Sequence, residues 1–231
     1  MVAGPNGGYL AAIVVRALGA EVADRPLRSL TVHYMRAPEA GEAQVKVGIE
    51  RAGRSVTFAG ARFEQGGVPF ATAQAVLAVD RTGFSLAASP PPRVASPDEI
   101  EAIPDSDQAP PFARNFDFRP ALGAAPFSGA DEALTGGWLR LREPRALDAA
   151  TLVALCDSWY PAVFATTEAP LAVPTLDLTV HLRAPLPRPE DWVLGRYRTR
   201  LARDGFLDED ATLWSREGDL LAQSRQLAIA L

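Results

Sequence analysis

The pattern of hydrophobic and polar positions predicts a helix followed by an antiparallel meander in the first 80 residues. In residues 9–22 the apolar side chains recur at the three- and four-residue spacing of one helical face. Runs rich in β-forming residues follow at 29–35, 43–49, 56–64 and 68–79, separated by short Gly-containing turns. Before the helix, the Pro- and Gly-rich segment 4–8 predicts a turn and a helix entry.

The second half repeats this order. Short strands are predicted at 115–119 and 137–142, and Asp148 is placed to cap a helix over residues 149–158. Pro161 lacks the amide that would continue this helix, so the helix is expected to end or kink there. The pattern then predicts strands at 175–183, 192–202, 207–215 and 220–231.

Residues 83–111 differ from both halves because they are rich in proline and carry scattered acidic residues. Proline removes donors from strand ladders and fixes φ, so this segment is predicted to be a linker. A plain tether is favoured over a proline-rich binding motif.

An internal repeat relates the halves. Residues 31–38, which begin Thr31-Val32-His33, match residues 179–185. In each half this segment follows a helix and precedes three antiparallel strands. A helix wrapped by an antiparallel sheet is the hotdog architecture, so the predicted fold class is α+β, a double hotdog. Its units are residues 1–82 and 112–231. About 36 residues precede the helix of the second unit and about seven precede that of the first. The first unit is therefore expected to lack its first strand, so that the true start lies upstream of Met1 or the sheet closes differently.

Composition narrows the function classes. The net charge of the 231 residues is −5, which argues against broad binding to nucleic acid or to an anionic membrane surface. One Cys and two His exclude an intrachain disulfide and a Cys-rich metal site. The apolar run 10–15 is stopped by Arg16, is too short to span a bilayer and has no basic leader. A cytoplasmic protein acting on a small molecule or on another protein is expected.

Three segments carry a family resemblance. Residues 4–10, 31–38 and 221–226 resemble the thioesterase-like group related to bacterial acyl-CoA thioesterase II. The resemblance implies an Asp on the second-half helix, a Thr or Ser opening the next strand and a Gln on the last strand, which together hold and activate the hydrolytic water. Asp157, Thr175 and Gln226 match these places in order.

The chemistry of these residues fits that role. Asp157 follows an apolar run and precedes Trp159 and Tyr160, so partial desolvation should raise its pKa and improve it as a base. In the Gly-rich turn of Asn6, Gly7 and Gly8, unobstructed backbone amides at a helix start could polarise a thioester carbonyl. The alternative, that these glycines serve only a tight turn, stays open.

The repeat also shows whether the first half carries a second copy of the candidate catalytic residues. The first-half position equivalent to Gln226 falls at or next to Ala75, and that of Asp157 falls near Asn6 and Gly7, which predicts one active site per chain. Other candidates are assigned structural roles. These are Cys156 as a small core residue, His33 and His181 as packing or cross-strand groups, and the tryptophans as parts of buried faces or oligomer contacts. Asp177, two residues after Thr175, is expected on the same strand face as a supporting partner.

The resulting prediction is a thioester hydrolase that acts on an acyl-CoA in fatty acid metabolism, with the acyl chain in an apolar tunnel between helix and sheet. Neither a metal nor an organic cofactor is expected. A homo-oligomer is expected because hotdog sheets expose edges that need covering. Two alternatives remain: an enoyl-thioester hydratase or dehydratase, which usually pairs an Asp with a His, and a non-catalytic acyl-CoA binding protein.

Overall fold

The computed structural model describes residues 4–87, 89–107, 109–189 and 191–231. Residues 1–3 of the predicted first unit lie outside this range. The first half forms one helix and four strands, as predicted: α1 (Gly7–Glu21), β1 (Leu27–Tyr34), β2 (Gln44–Ala52), β3 (Val56–Gln65) and β4 (Val68–Ala78).

The second half contains a short helix and seven strands in its described residues. These are β5 (Phe116–Gly123), β6 (Leu134–Leu141), α2 (Ala149–Leu155), β7 (Thr175–Leu182), β8 (Val193–Arg198), β9 (Ala202–Arg203), β10 (Phe206–Ser215) and β11 (Leu220–Ile229). Short 3-10 helices occupy Pro97–Glu99, Pro111–Asn115 and Ala162–Thr166.

Helix α2 ends earlier than Pro161 predicts. Asp148 caps its start by accepting a bond from the Thr151 amide at 2.8 Å, as expected. At the other end, the Leu155 carbonyl accepts from the Tyr197 hydroxyl at 2.6 Å and from the Ser158 hydroxyl at 3.1 Å. The last turn is tightened because backbone amides donate hydrogen bonds to carbonyls three residues earlier. The helix therefore ends at Leu155, and Asp157 lies in the turn beyond it.

Within the described residues, the strands form one antiparallel sheet in the order β2-β3-β4-β1-β7-β11-β10-β8-β6-β5, with β9 paired to β10. The two copies of the repeated segment pair with each other at its centre. Thr31 faces Thr179 across β1 and β7, and their hydroxyl oxygens lie 3.0 Å apart. The repeat therefore forms the junction of the two units, which gives the predicted α+β double hotdog.

Helices α1 and α2 pack against each other on one face of this sheet, here called the inner face. Leu10, Val14 and Leu18 of α1 are buried there, as are Val32 and Val180 on the central strands. Burying these apolar side chains supplies the main driving force for holding the helices against the sheet.

The proline-rich segment is not a plain tether. It crosses the opposite, outer face of the sheet, where Val94 and Ile100 pack on a cluster formed by Trp138, Trp192 and Trp214. Indole N–H groups fix it: Trp138 donates to the Ala95 carbonyl at 2.9 Å, and Trp214 donates to the Ser89 carbonyl at 2.8 Å. Without this segment the large indole rings would be exposed to water, so burying them stabilises the proline-rich segment on the sheet.

The two units end differently at the sheet edges. Strand β8 pairs with both β10 and β6, whereas β2, its counterpart in the repeat, pairs with β3 alone among the described strands. The expectation that residues 1–82 lack a first strand stays a prediction.

Candidate active site

Asp157 lies where the start of α1 meets the end of α2. Its carboxylate oxygen Oδ2 accepts from the Gly8 amide at 2.7 Å and from the Asn6 side-chain amide at 3.0 Å. The same Asn6 nitrogen also donates to the Asp157 backbone carbonyl at 2.8 Å. The turn after α2 is thus fastened to the first unit by the Gly-rich turn.

Gln226 and Thr175 complete the group from the sheet. The Gln226 side-chain nitrogen donates to the other Asp157 oxygen, Oδ1, at 2.9 Å. The Thr175 hydroxyl in turn donates to the Gln226 side-chain oxygen at 2.9 Å. The three residues, 69 positions apart at most, therefore form one continuous chain of hydrogen bonds.

The environment favours a basic carboxylate. Burial raises the pKa of Asp157 above its ordinary value, while the bonds from Gly8, Gln226 and Asn6 act in the opposite direction. Desolvation is the larger effect, so the carboxylate holds a proton more strongly than a solvated Asp.

The residues of the Gly-rich turn have separate tasks. Asn6 caps α1 by accepting from the Tyr9 amide at 2.9 Å, while its nitrogen holds Asp157. The Gly8 amide is bonded to Asp157 and is not free for a substrate. The Gly7 amide, at the first position of the helix, donates to no group in the described part of the chain. The absence of a side chain is required at Gly8, because a Cβ there would stand 2.8 Å from the Asp157 Cβ.

Two residues near this group were missed by the sequence analysis. The Tyr34 hydroxyl donates to the Gly7 carbonyl at 2.7 Å and so fixes the turn, and burial raises its pKa well above the usual value. Glu209 lies buried opposite Gln226 on β10. Both signals were present in the sequence. Tyr34 departs from the repeat, where Leu182 stands, and Glu209 interrupts alternating apolar positions.

The remaining candidates lie away from this group or are inert. His33 and His181 are exposed on the outer face, on the opposite side of the sheet from Asp157, and their packing or cross-strand roles stay a prediction. Burial raises the pKa of the Cys156 thiol to about 12, which agrees with a core role. Asp177 does not share a face with Thr175: an irregularity in the β7–β11 register lies between them, and Asp177 faces His33 and Leu227 on the outer side.

Two grooves mark the surface. One of about 340 Å³ lies between α1 and the sheet and is lined mainly by apolar residues, including Val15, Leu18, Gly19 and Leu77. The other, about 380 Å³, is rich in arginine and lies on the outer face, away from Asp157. Across the described ranges, no group of three or more His, Cys, Asp or Glu residues could hold a metal ion, and no described helix is long and apolar enough to cross a membrane.

Comparison with protein families gives two adjacent matches. Residues 91–230 match the acyl-CoA thioesterase C-terminal domain, and residues 1–78 match the corresponding N-terminal domain. The chain belongs to the acyl-CoA thioesterase family. The boundary between the two matches falls in the proline-rich segment of this thioesterase-family chain. No curated protein gave a significant match.

Solved structures give the same fold. A hot dog fold protein of unknown function from Alicyclobacillus acidocaldarius is 28% identical, with a TM-score of 0.90 over 99% of this chain and 88% of that one. A candidate thioesterase II from Thermobifida fusca YX is 26% identical, with a TM-score of 0.84 over 100% and 88%. The acyl-CoA thioesterase II TesB2 of Mycobacterium marinum is 19% identical, with a TM-score of 0.77 over 97% and 90%, and supports the fold alone.

Proposed function

We propose that this protein hydrolyses acyl-CoA thioesters by direct attack of a water molecule that Asp157 activates. The observation that carries the proposal is the carboxylate itself. Asp157 is held from two sides by Gly8, Asn6 and Gln226, and its pKa is raised by burial. A fixed carboxylate of raised basicity is suited to general base catalysis.

The hydrogen-bond directions suggest where the water binds. Thr175 gives its proton to Gln226, so its oxygen keeps lone pairs that can accept from a water. The Asp157 Oδ1 oxygen, which accepts from Gln226, keeps a second acceptor direction for the other water proton. A water that donates to both groups would be oriented with its own lone pair free to attack a thioester carbonyl carbon.

The reaction balances with these groups alone. Asp157 takes one proton as the water oxygen bonds to the carbonyl carbon, and the carbon–sulfur bond then breaks. The proton held by Asp157 passes to the departing CoA thiolate, which yields a carboxylic acid and free CoA and restores the carboxylate. The Gly7 amide at the start of α1 is our candidate donor to the carbonyl oxygen as it gains negative charge.

The groove between α1 and the sheet is our candidate for the acyl chain. It is lined by Val15, Leu18 and Leu77, and it lies at the C-terminal half of the helix that begins at the catalytic turn. Apolar side chains favour an aliphatic or aromatic acyl group over a polar one.

The two alternative functions, a hydratase and a non-catalytic binding protein, predict different features. An enoyl-thioester hydratase of this fold usually pairs an Asp with a His, but His33 and His181 lie on the outer face, away from Asp157. A non-catalytic binding protein would bind acyl-CoA without releasing free thiol. Binding alone does not require a buried carboxylate of raised pKa such as Asp157.

The test is a hydrolysis screen with a panel of acyl-CoA chain lengths, following release of free CoA thiol. Replacing the base in Asp157→Asn should lower kcat about 10²- to 10⁴-fold while acyl-CoA binding is retained. Thr175→Val should also lower kcat. Asp177→Asn, on the same strand but the outer face, is the matched control and should behave as wild type. If no chain length is hydrolysed by the wild type, the proposal is wrong and the binding protein is favoured.

The pH profile adds a second readout. Because Asp157 must be ionised to act as a base, the rate should fall as pH drops through its raised pKa, at a pH above that of an ordinary Asp. Cytoplasmic location, action without a cofactor and assembly into a homo-oligomer stay predictions, and size measurement in solution checks the last.

A further inference from the structure

A second carboxyl group is buried beside the proposed catalytic one. Glu209 is 7% exposed, and it stands on the inner face of β10 among Leu207, Ala211 and Leu213. An ionised carboxylate in such apolar surroundings is costly, so a Glu at this position requires a compensating role or a neutral state.

The contacts of Glu209 join two parts of the site. Its side-chain oxygen Oε2 accepts from the Ala162 amide at 2.6 Å, five residues after Asp157. Within the sheet, Glu209 is the direct cross-strand partner of Gln226, whose side chain donates to Asp157. The segment after Asp157 and the strand that carries Gln226 are therefore both held at this one residue.

We propose that Glu209 is a positioning residue of the hydrolytic site, which fastens the segment after Asp157 to the sheet beside Gln226 and does so as a neutral acid. This inference rests on the proposed function. It assigns Glu209 no contact with the substrate.

The neutral state follows from the surroundings. Burial raises the pKa of Glu209 to about 8, the Ala162 amide acts against this, and the charges of Asp157 and Asp208 raise it further. Two neighbouring titratable groups stay neutral: Cys156 has a pKa of about 12, and burial raises the pKa of Tyr197 well above its usual value.

The charged groups of the adjoining strands do not offset the raised pKa of Glu209. On β10 itself, Asp208 and Asp210 alternate with Glu209 and point to the outer face, where Arg225 of β11 pairs with both. On β8, Arg198 is the partner of Asp210 and also lies on the outer side. No cation of the described residues faces Glu209 from α2, from the 3-10 helix Ala162–Thr166 or from these strands.

The consequence concerns the alkaline side of the pH profile. While Glu209 is neutral, Asp157 is the ionised carboxyl of the site. When Glu209 loses its proton, a second negative charge forms in apolar surroundings near the ionised Asp157. An unpaired buried charge is costly, so it destabilises the arrangement that Glu209 fastens. The wild-type rate should therefore decline above about pH 8.

The test compares two variants over pH 5–9. Glu209→Gln keeps an oxygen for the Ala162 amide but cannot ionise, so we expect wild-type kcat near pH 7, within about threefold, and loss of the alkaline decline. Glu209→Leu leaves the amide unpaired, so we expect kcat to fall about tenfold or more at every pH with KM little changed. Asp177→Asn again serves as the control. A Glu209→Gln variant that keeps the wild-type alkaline decline overturns the inference, although the hydrolase function would stand.

A stability measurement keeps the two proposals separate. The folded-state pKa of about 8 is above the usual 4.5, so folding favours the proton and the stability of the wild type should fall as pH rises between these values. Glu209→Gln should lack this part of the pH dependence. Parallel stability curves for the two proteins would refute a neutral buried Glu209, even if the wild type hydrolysed no acyl-CoA at all.

Discussion

Replacing Gly8 by Ala tests whether the helix start holds Asp157 in its working position. Gly8 is the second residue of α1, and its amide donates to Asp157 at 2.7 Å. A Cβ at this position would lie 2.8 Å from the Asp157 Cβ and 2.9 Å from the Ala154 carbonyl oxygen. The second contact is with backbone, so a side-chain rotation cannot relieve both.

The size of the effect follows from these distances. Carbon atoms pack at about 3.5–4.0 Å, so the turn that carries Asp157 must move by about 1 Å. A displacement of about 1 Å at a reacting group costs about 10²-fold in rate, and we expect a loss of kcat of that order. This displacement also weakens the hydrogen bond from the Gly8 amide to the Asp157 carboxylate. The hydrogen bond from Gly8 lowers the pKa of Asp157, so its loss should raise that pKa further.

The assay is steady-state hydrolysis of an acyl-CoA over pH 5–9, with thermal unfolding measured in parallel. Gly8→Ala should lower kcat and shift the acid limb of the profile to higher pH. The matched control is Gly19→Ala, the same substitution on the same helix, where a Cβ would meet nothing within 4 Å. Because Gly19 lines the candidate acyl groove, this comparison uses a short-chain acyl-CoA, on which the control should keep its activity. The control should also gain about 0.5–1 kcal/mol in unfolding free energy, because Ala is the better helix former.

Two results would refute this reasoning. Full activity in Gly8→Ala would mean that Asp157 does not need its bond to α1. An equal loss of activity in both variants would mean that the substitution acts through the helix as a whole and not through the contact with Asp157.

Three further predictions concern other parts of the molecule. Trp214→Phe removes the donor to the Ser89 carbonyl, so the proline-rich segment should be cleaved faster in limited proteolysis and stability should fall by about 1 kcal/mol; unchanged cleavage would contradict its role as a fastening. Cys156, with a pKa of about 12 and no exposed surface, should react with a thiol reagent at pH 8 only after unfolding, which a colorimetric thiol titration checks. Gly19→Leu places a side chain in the apolar groove without a backbone clash, so KM should rise for long acyl chains and stay unchanged for short ones; equal effects on all chains would exclude this groove as the acyl site.

The sequence predicted the elements and the repeat because both depend on local pattern. The apolar face of α1 and the alternation along the strands follow from helical and strand geometry, and they recur in the structure. The match of residues 31–38 to 179–185 predicted a duplicated unit, but it did not predict that Thr31 and Thr179 would face each other. Pairing between two distant strands depends on the register of the whole sheet, which local pattern does not contain.

Predictions failed where a distant group competed with a local rule. Pro161 was expected to end the second helix, but the Tyr197 hydroxyl and Ser158 end it sooner by binding the Leu155 carbonyl. The two-residue spacing of Thr175 and Asp177 predicted a shared face, and an irregularity in the pairing with β11 reversed it. The proline-rich segment has no core pattern of its own, so only the exposed tryptophans of the sheet reveal that it is fastened.

For the candidate site, the sequence by itself determined which residue types were present: an Asp after an apolar helix, a Thr that opens a strand, a Gln on the last strand and a Gly-rich turn. Only the tertiary structure decided their contacts. It directs the Gly8 amide and the Asn6 side chain to Asp157, and it buries Glu209 opposite Gln226. The physical reason is that hydrogen-bond partners and pKa values depend on which atoms are brought within about 3 Å and how far water is excluded, and both are set by chain segments about 150 residues apart.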